Sequence, residues 1–206
     1  MKKPIDPYMT DKTYKMSAKY AVSLAEHYFN NSGVIYYSNL SLVIMYNQEV
    51  CSYQPSDAGN CTGWDMRWLG VIIKNGSYYV QEYWLSIFYD KQNILKYDLD
   101  EMHSSKLDAQ GIAENISDIN NETPVYWKLD SYQIYKLAEK EVHPLDHKDT
   151  LFIYKTDMVL MKRRGSWTWD ITWVYHCKSR SLNSDICVES KDISMNANSG
   201  EKINVP

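Results

Sequence analysis

The chain has 206 residues, a length that suits one domain or two small ones. With 44% hydrophobic and 23% charged residues it holds enough apolar material for a packed core, which excludes general disorder. A net charge of -4 gives no electrostatic footprint for nucleic acid, and no run of about 20 apolar residues exists to span a membrane.

The chain opens on Met1-Lys2-Lys3-Pro4, a charged start with no apolar core behind it, so these residues are not themselves a signal peptide. A leader removed earlier is the expectation. The first periodic segment follows. Ala21, Leu24, Ala25 and Tyr28 recur at three- and four-residue steps, which predicts an amphipathic helix with Ser17 as its N-cap and Met16 as a staple. Cys51 and Cys61 come next, ten positions apart. Then Trp64-Asp65-Met66-Arg67-Trp68 begins an alternating strand that runs to Ile73, turns at Asn75-Gly76 and returns from Tyr78 to Tyr89. Asn-Gly between two such runs is a strong hairpin signal. The return strand closes on the turn Asp90 to Asn93.

From His103 to Thr123 the chain is polar and reads as a linker, with a short helix around Leu107 to Ile116. Beyond Pro124 the earlier pattern repeats. Leu137-Ala138-Glu139 matches Leu24-Ala25-Glu26 inside a second amphipathic helix, with Asp130 and Leu129 in the places of Ser17 and Met16. Trp169-Asp170-Ile171-Thr172-Trp173 matches the first W-D-x-x-W, on a strand from Trp167 to His176 that returns from about Ile186 to Met195. Gly200 then corresponds to Asn93, and both residue types tolerate positive φ. The predicted fold class is α+β, as two tandem modules, each one helix on a curved antiparallel sheet of about four strands. Their bounds are residues 1–102 and 124–206, with 103–123 between them.

Cys177 and Cys187 are again ten apart. Both cysteine pairs fall where the two copies differ in length, and neither has the close spacing of a metal site. Two local disulfides, Cys51–Cys61 and Cys177–Cys187, fit better than free thiols, each worth about 2–3 kcal/mol if unstrained. Acceptor sequons stand at Asn30, Asn39, Asn60, Asn75, Asn115 and Asn121. Disulfides and sequons together point outside the cytoplasm, to a secreted or surface protein from an archaeal or eukaryotic host.

The second copy, from Trp127-Lys128-Leu129-Asp130-Ser131 through Trp169–Trp173 to Met195-Asn196-Ala197-Asn198-Ser199-Gly200-Glu201-Lys202-Ile203, resembles the PepSY-like group. Modules of that group have a W-x-(I/L)-D-S lead into a helix, a W-x-V strand and a closing V-D-A-x-T-G-E-V turn. The likeness covers about 80 residues here and, more weakly, the first 100. Asn196 stands for the group's Asp and Ser199 for its Thr, and the first copy lacks the closing Gly. The resemblance implies a non-enzymatic extracytoplasmic domain of the kind found in propeptides of secreted metallopeptidases and in envelope proteins, where it regulates or inhibits peptidases. No inhibitory residue follows from a motif.

Catalytic signatures are missing: the chain has no nucleophile elbow, phosphate loop, H-E-x-x-H or G-x-G-x-x-G. His143, His147 and Asp149 form the one ligand-like cluster, but Pro144 prevents the helix that would align the histidines, and a polar loop explains them as well. Asp65 and Asp170 could pair for acid–base work, yet recurrence in both copies favours architecture. Trp64 and Trp68, like Trp167, Trp169 and Trp173, share one strand face and read as a ring stack under the helices. The alternative is an exposed platform for sugar or polypeptide, extended by Tyr78, Tyr79, Tyr83 and Trp84. The expected function is a non-catalytic protein-binding module that regulates a secreted peptidase, with carbohydrate binding or a structural surface role as the alternative. No catalytic residue, cofactor or metal site is expected.

Overall fold

The computed structural model describes residues 14–31, 40–51, 59–106, 127–141, 151–163, 165–177 and 188–204. The expected helix at 107–116 and the His143, His147 and Asp149 cluster lie outside them. Helix α1 spans Ala18–Asn31, and strands β1 to β4 span Leu40–Cys51, Cys61–Lys74, Ser77–Tyr89 and Leu95–Lys106. The second half repeats the order, with α2 at Ser131–Glu141 and β5 to β8 at Leu151–Arg163, Ser166–Cys177, Val188–Asn196 and Lys202–Ile203.

These strands make one antiparallel sheet in the order β4-β3-β2-β1-β5-β6-β7-β8. The expectation of two separate helix-on-sheet modules is therefore overturned. The element that overturns it is the pairing of β1 with β5, Ile44 opposite Met161, Met45 opposite Leu160 and Tyr46 opposite Val159. Met45 and Leu160 are each wholly buried, so the two halves of the sheet cannot part without exposing their inner strands. The β1 sequence Leu40-Ser41-Leu42-Val43-Ile44-Met45 is nearly continuous in apolar residues, as a strand at the middle of a sheet should be.

The halves are related by a pseudo-twofold passing between Tyr46 and Val159. Asn47 shows how the join is completed. Its side chain is buried, with Oδ1 accepting from the Met158 amide at 2.6 Å and Nδ2 donating to the Thr156 carbonyl at 3.3 Å. The amide thus continues the ladder by side chain next to the register shift of β5 between Ile153 and Lys155.

Both helices lie on one face, α1 against β2 and β3 and α2 against β6 and β7. Each begins one residue after its expected cap, Ser17 or Asp130. Tyr20 N donates to Ser17 Oγ in α1, while Gln133 Oε1 reaches back to the Asp130 amide in α2. The two N-termini also meet. Ala18 N donates to Ser131 Oγ at 3.1 Å and Lys19 N to Asp130 Oδ1 at 3.0 Å, so one carboxylate serves the positive ends of both helices. Gly59 fits against this second helix because it has no side chain. At φ 82°, a Cβ there would lie 2.7 Å from the Ser131 carbonyl oxygen and 2.8 Å from Tyr132 Cα.

The repeated tryptophans are the centre of the core. Trp64, Trp68, Trp169 and Trp173 are all buried, and Trp64 meets Trp169 edge-on at 5.9 Å between ring centroids. In each half the first indole donates to the carbonyl of the staple residue, Trp64 to Met16 at 3.1 Å and Trp169 to Leu129 at 3.3 Å. Burial of rings this size is worth roughly 4–6 kcal/mol each before ordering costs. Phe29 closes the first half on Trp68, and Tyr135 the second, accepting from Trp173 Nε1. Asn75 and Gly76 both have positive φ in the β2–β3 turn, and Asn93 and Gly200 do so at corresponding ends, at 61° and 75°.

Candidate binding face

The opposite face of the sheet carries no helix among the described residues. Alternation along each strand decides what stands there. One row of partners crosses the whole sheet on this side: Asp98, Ser86, Asp65, Tyr46, Val159, Asp170, Ser194 and Ile203. The neighbouring row places Asp100, Trp84, Arg67, Ile44 and Met161 side by side. Ile44, Tyr46, Trp84, Val159 and Met161 are half-buried, and they form an apolar centre on the pseudo-twofold. Tyr46 and Trp84 lie 5.7 Å apart with tilted rings.

Ion pairs rim that centre. Arg67 grips Glu82 through two 2.7 Å bonds, and Trp84 Nε1 donates to the same carboxylate at 3.0 Å. In the other half Arg163 pairs with Asp170 at 2.5 Å, and Ser194 Oγ donates to Asp170 at 2.6 Å. Ser86 Oγ donates to Asp65 in the matching way. The recurring Asp is thus held by a recurring Ser two strands from the centre. Partial burial pushes the Asp65 carboxyl above its ordinary range, the Ser86 hydroxyl opposes this, and the like charge of Asp98 adds to it. Burial, together with the Asp65 charge, likewise raises the Tyr46 phenol.

The structure separates the residues singled out by sequence. Six of the seven tryptophans are buried, as is Tyr83, and these cannot serve an exposed platform; Trp84 alone reaches the open face. Tyr78 and Tyr79 sit next to the hairpin tip, with Tyr78 exposed. A separate tyrosine patch was not read from the sequence: Tyr14 is 61% exposed and edge-on to Tyr89, and Tyr28 stacks on Tyr97 at 5.1 Å. Asp65 and Asp170 are kept apart by β1 and β5, two strands between them, too far for a shared proton.

Cys51 stands opposite Cys61 in the β1–β2 ladder, and Cys61, wholly buried, has no free thiol. Cys177 ends β6, whose last described pair with β7 is His176 with Val188; Cys187 lies outside the described residues. Of the sequons, Asn30 and Asn75 are exposed on α1 and at the β2–β3 turn. Asn60 is half-buried, with an enclosed Oδ1 that has no hydrogen-bond partner, while Asn39, Asn115 and Asn121 lie outside the described set. None of the described three falls on the open face. Among the described residues no group of three or more acidic, His or Cys side chains is placed to hold a metal ion, and no helix is long and apolar enough to cross a membrane. Compared with protein-family profiles, curated proteins and solved structures, the chain matches none of them.

Proposed function

We propose that this chain is a non-catalytic, extracytoplasmic binding protein that holds a protein partner on the open face of its sheet. The observation that carries the reading is the half-exposed centre formed by Ile44, Tyr46, Trp84, Val159 and Met161 on the pseudo-twofold. An apolar patch with aromatic anchors and a charged rim is the anatomy of a protein interface. The resemblance to PepSY-like modules supplies the partner class, a secreted peptidase. The same proposal places the protein at the cell surface or outside the cell, with disulfides Cys51–Cys61 and Cys177–Cys187 and with glycans away from the open face.

The test is capture from culture medium of the source organism by the wild-type chain and by a Tyr46→Ala/Trp84→Ala variant whose near-UV circular dichroism is unchanged. A peptidase retained by the first and lost by the second is the expected result. Capture of polysaccharide alone, insensitive to this variant and abolished by Tyr14→Ala, would transfer the reading to carbohydrate binding, which the exposed patch of Tyr14, Tyr20 and Tyr97 favours.

A further inference from the structure

The pseudo-twofold makes the two halves of the open face comparable residue by residue: Ile44, Arg67 and Trp84 stand where the second half has Asp157, Thr172 and Asp192, and the recurring aspartates differ in their partners. Asp170 has both a serine, Ser194, and a cation, Arg163. Asp65 has the equivalent serine and, among the described residues, no cation. Its neighbours deepen the contrast. Asp98 follows Ser86 in the same row, and Asp100 follows Trp84 in the next; both are exposed and form no ion pair among the described residues. The cation on this side of β4, Lys96, is turned to Asp90 at 3.7 Å. Arg67, the cation beside the row, donates to Glu82 through both Nε and one terminal nitrogen. The corner of the apolar centre toward β4 therefore carries three carboxylates with no counter-charge among the described residues, beside the rings of Tyr46 and Trp84, whereas toward β7 Asp170 is paired with Arg163 and Asp192 stands in the place of Trp84.

Resting on the open-face reading above, we propose that the partner is a protein with a basic patch, which seats an apolar knob on Tyr46 and Trp84 and presents Lys or Arg to Asp65, Asp98 and Asp100. The partner's cation does for Asp65 what Arg163 does for Asp170. Complementary charge beside an apolar anchor sets orientation and encounter rate, and like charge excludes acidic surfaces. Burial and the like charge of Asp98 both hold the Asp65 carboxyl above its ordinary range, and a partner's cation would oppose them.

A peptide-display library with equal numbers of acidic and basic codons serves as the probe, selected on the wild-type chain. Enriched peptides should combine Lys or Arg with aromatic or aliphatic residues. Their affinity should fall about tenfold or more on the triple change Asp65→Asn, Asp98→Asn, Asp100→Asn, and also on Trp84→Ala. Raising salt from 0.05 to 0.5 M, by rough choice of a span that screens surface charge, should weaken binding to the unmodified chain, a readout free of any folding defect. Peptides that need Trp84 but ignore the three carboxylates and salt would overturn the basic-partner inference and leave the docking face standing. Peptides that need the carboxylates but not Trp84 would overturn it as well, as simple charge attraction. If none depends on either set, the open-face reading fails too.

Discussion

Asp65 and Asp170 hold the same place in the two halves and keep different company among the described residues, one with Ser86 and one with Ser194 and Arg163. The difference has a consequence for stability. A carboxyl whose pKa is raised in the fold favours folding while protonated, and that contribution is lost as pH rises from the ordinary value of 3.8 through the raised one. Asp65→Asn removes the titration. The variant should therefore gain stability relative to wild type as pH rises through that window, then keep a constant difference above it. Urea denaturation at a series of pH values checks this, and a difference that shrinks with rising pH would contradict it. Recurrence of Asp in W-D-x-x-W points to a place in the architecture, and in each half the Asp accepts from a serine hydroxyl of the neighbouring strand. The asymmetry was not legible, because Arg163 comes from the β5–β6 hairpin and reaches Asp170 only once those strands pair in their observed register.

At the scale of elements, the hairpins and helices could be read from local signals, and the join between halves could not. Asn75-Gly76, the helical periodicity, both caps and the correspondence of Asn93 with Gly200 each depend on neighbours within a few residues, where backbone preference acts. β1 and β5 are more than a hundred residues apart, and nothing local in either names the other. The signal that could have pointed to them is the apolar stretch Leu42 to Tyr46, which suits a central strand better than a loop between helix and hairpin. Missing β1 also hid Ile44 and Tyr46, and with them the middle of the binding face. Asn47 is the residue that ties this join. Replacing it with Leu, the residue type at the related position Leu160, leaves the Met158 amide and the Thr156 carbonyl without their side-chain partner. The expected cost is about 1–3 kcal/mol, measured by equilibrium unfolding. A change within about 0.5 kcal/mol would show that the ladder tolerates the gap.

For the whole molecule, one continuous sheet means that each half leaves an apolar inner strand unpaired when alone. Residues 1–106 and 124–206, expressed separately, should self-associate, and expressed together should elute as a one-to-one complex with the near-UV spectrum of the intact chain. Two monomeric halves that each unfold cooperatively on their own would contradict this. The placement of Trp64 against Trp169 adds to the expectation, since separation would uncover both rings.

The twofold that runs between Tyr46 and Val159 lies inside a single chain, and this frees it from a constraint that binds symmetric dimers. In a dimer every substitution is made twice, so a cation gained beside one aspartate is gained beside its mate, and the two ends of the shared face remain alike. Here a codon changes one end only. The scaffold can keep its matched tryptophans, caps and serines for folding while the face above them acquires a left and a right, and a partner that meets it can dock in one orientation rather than two.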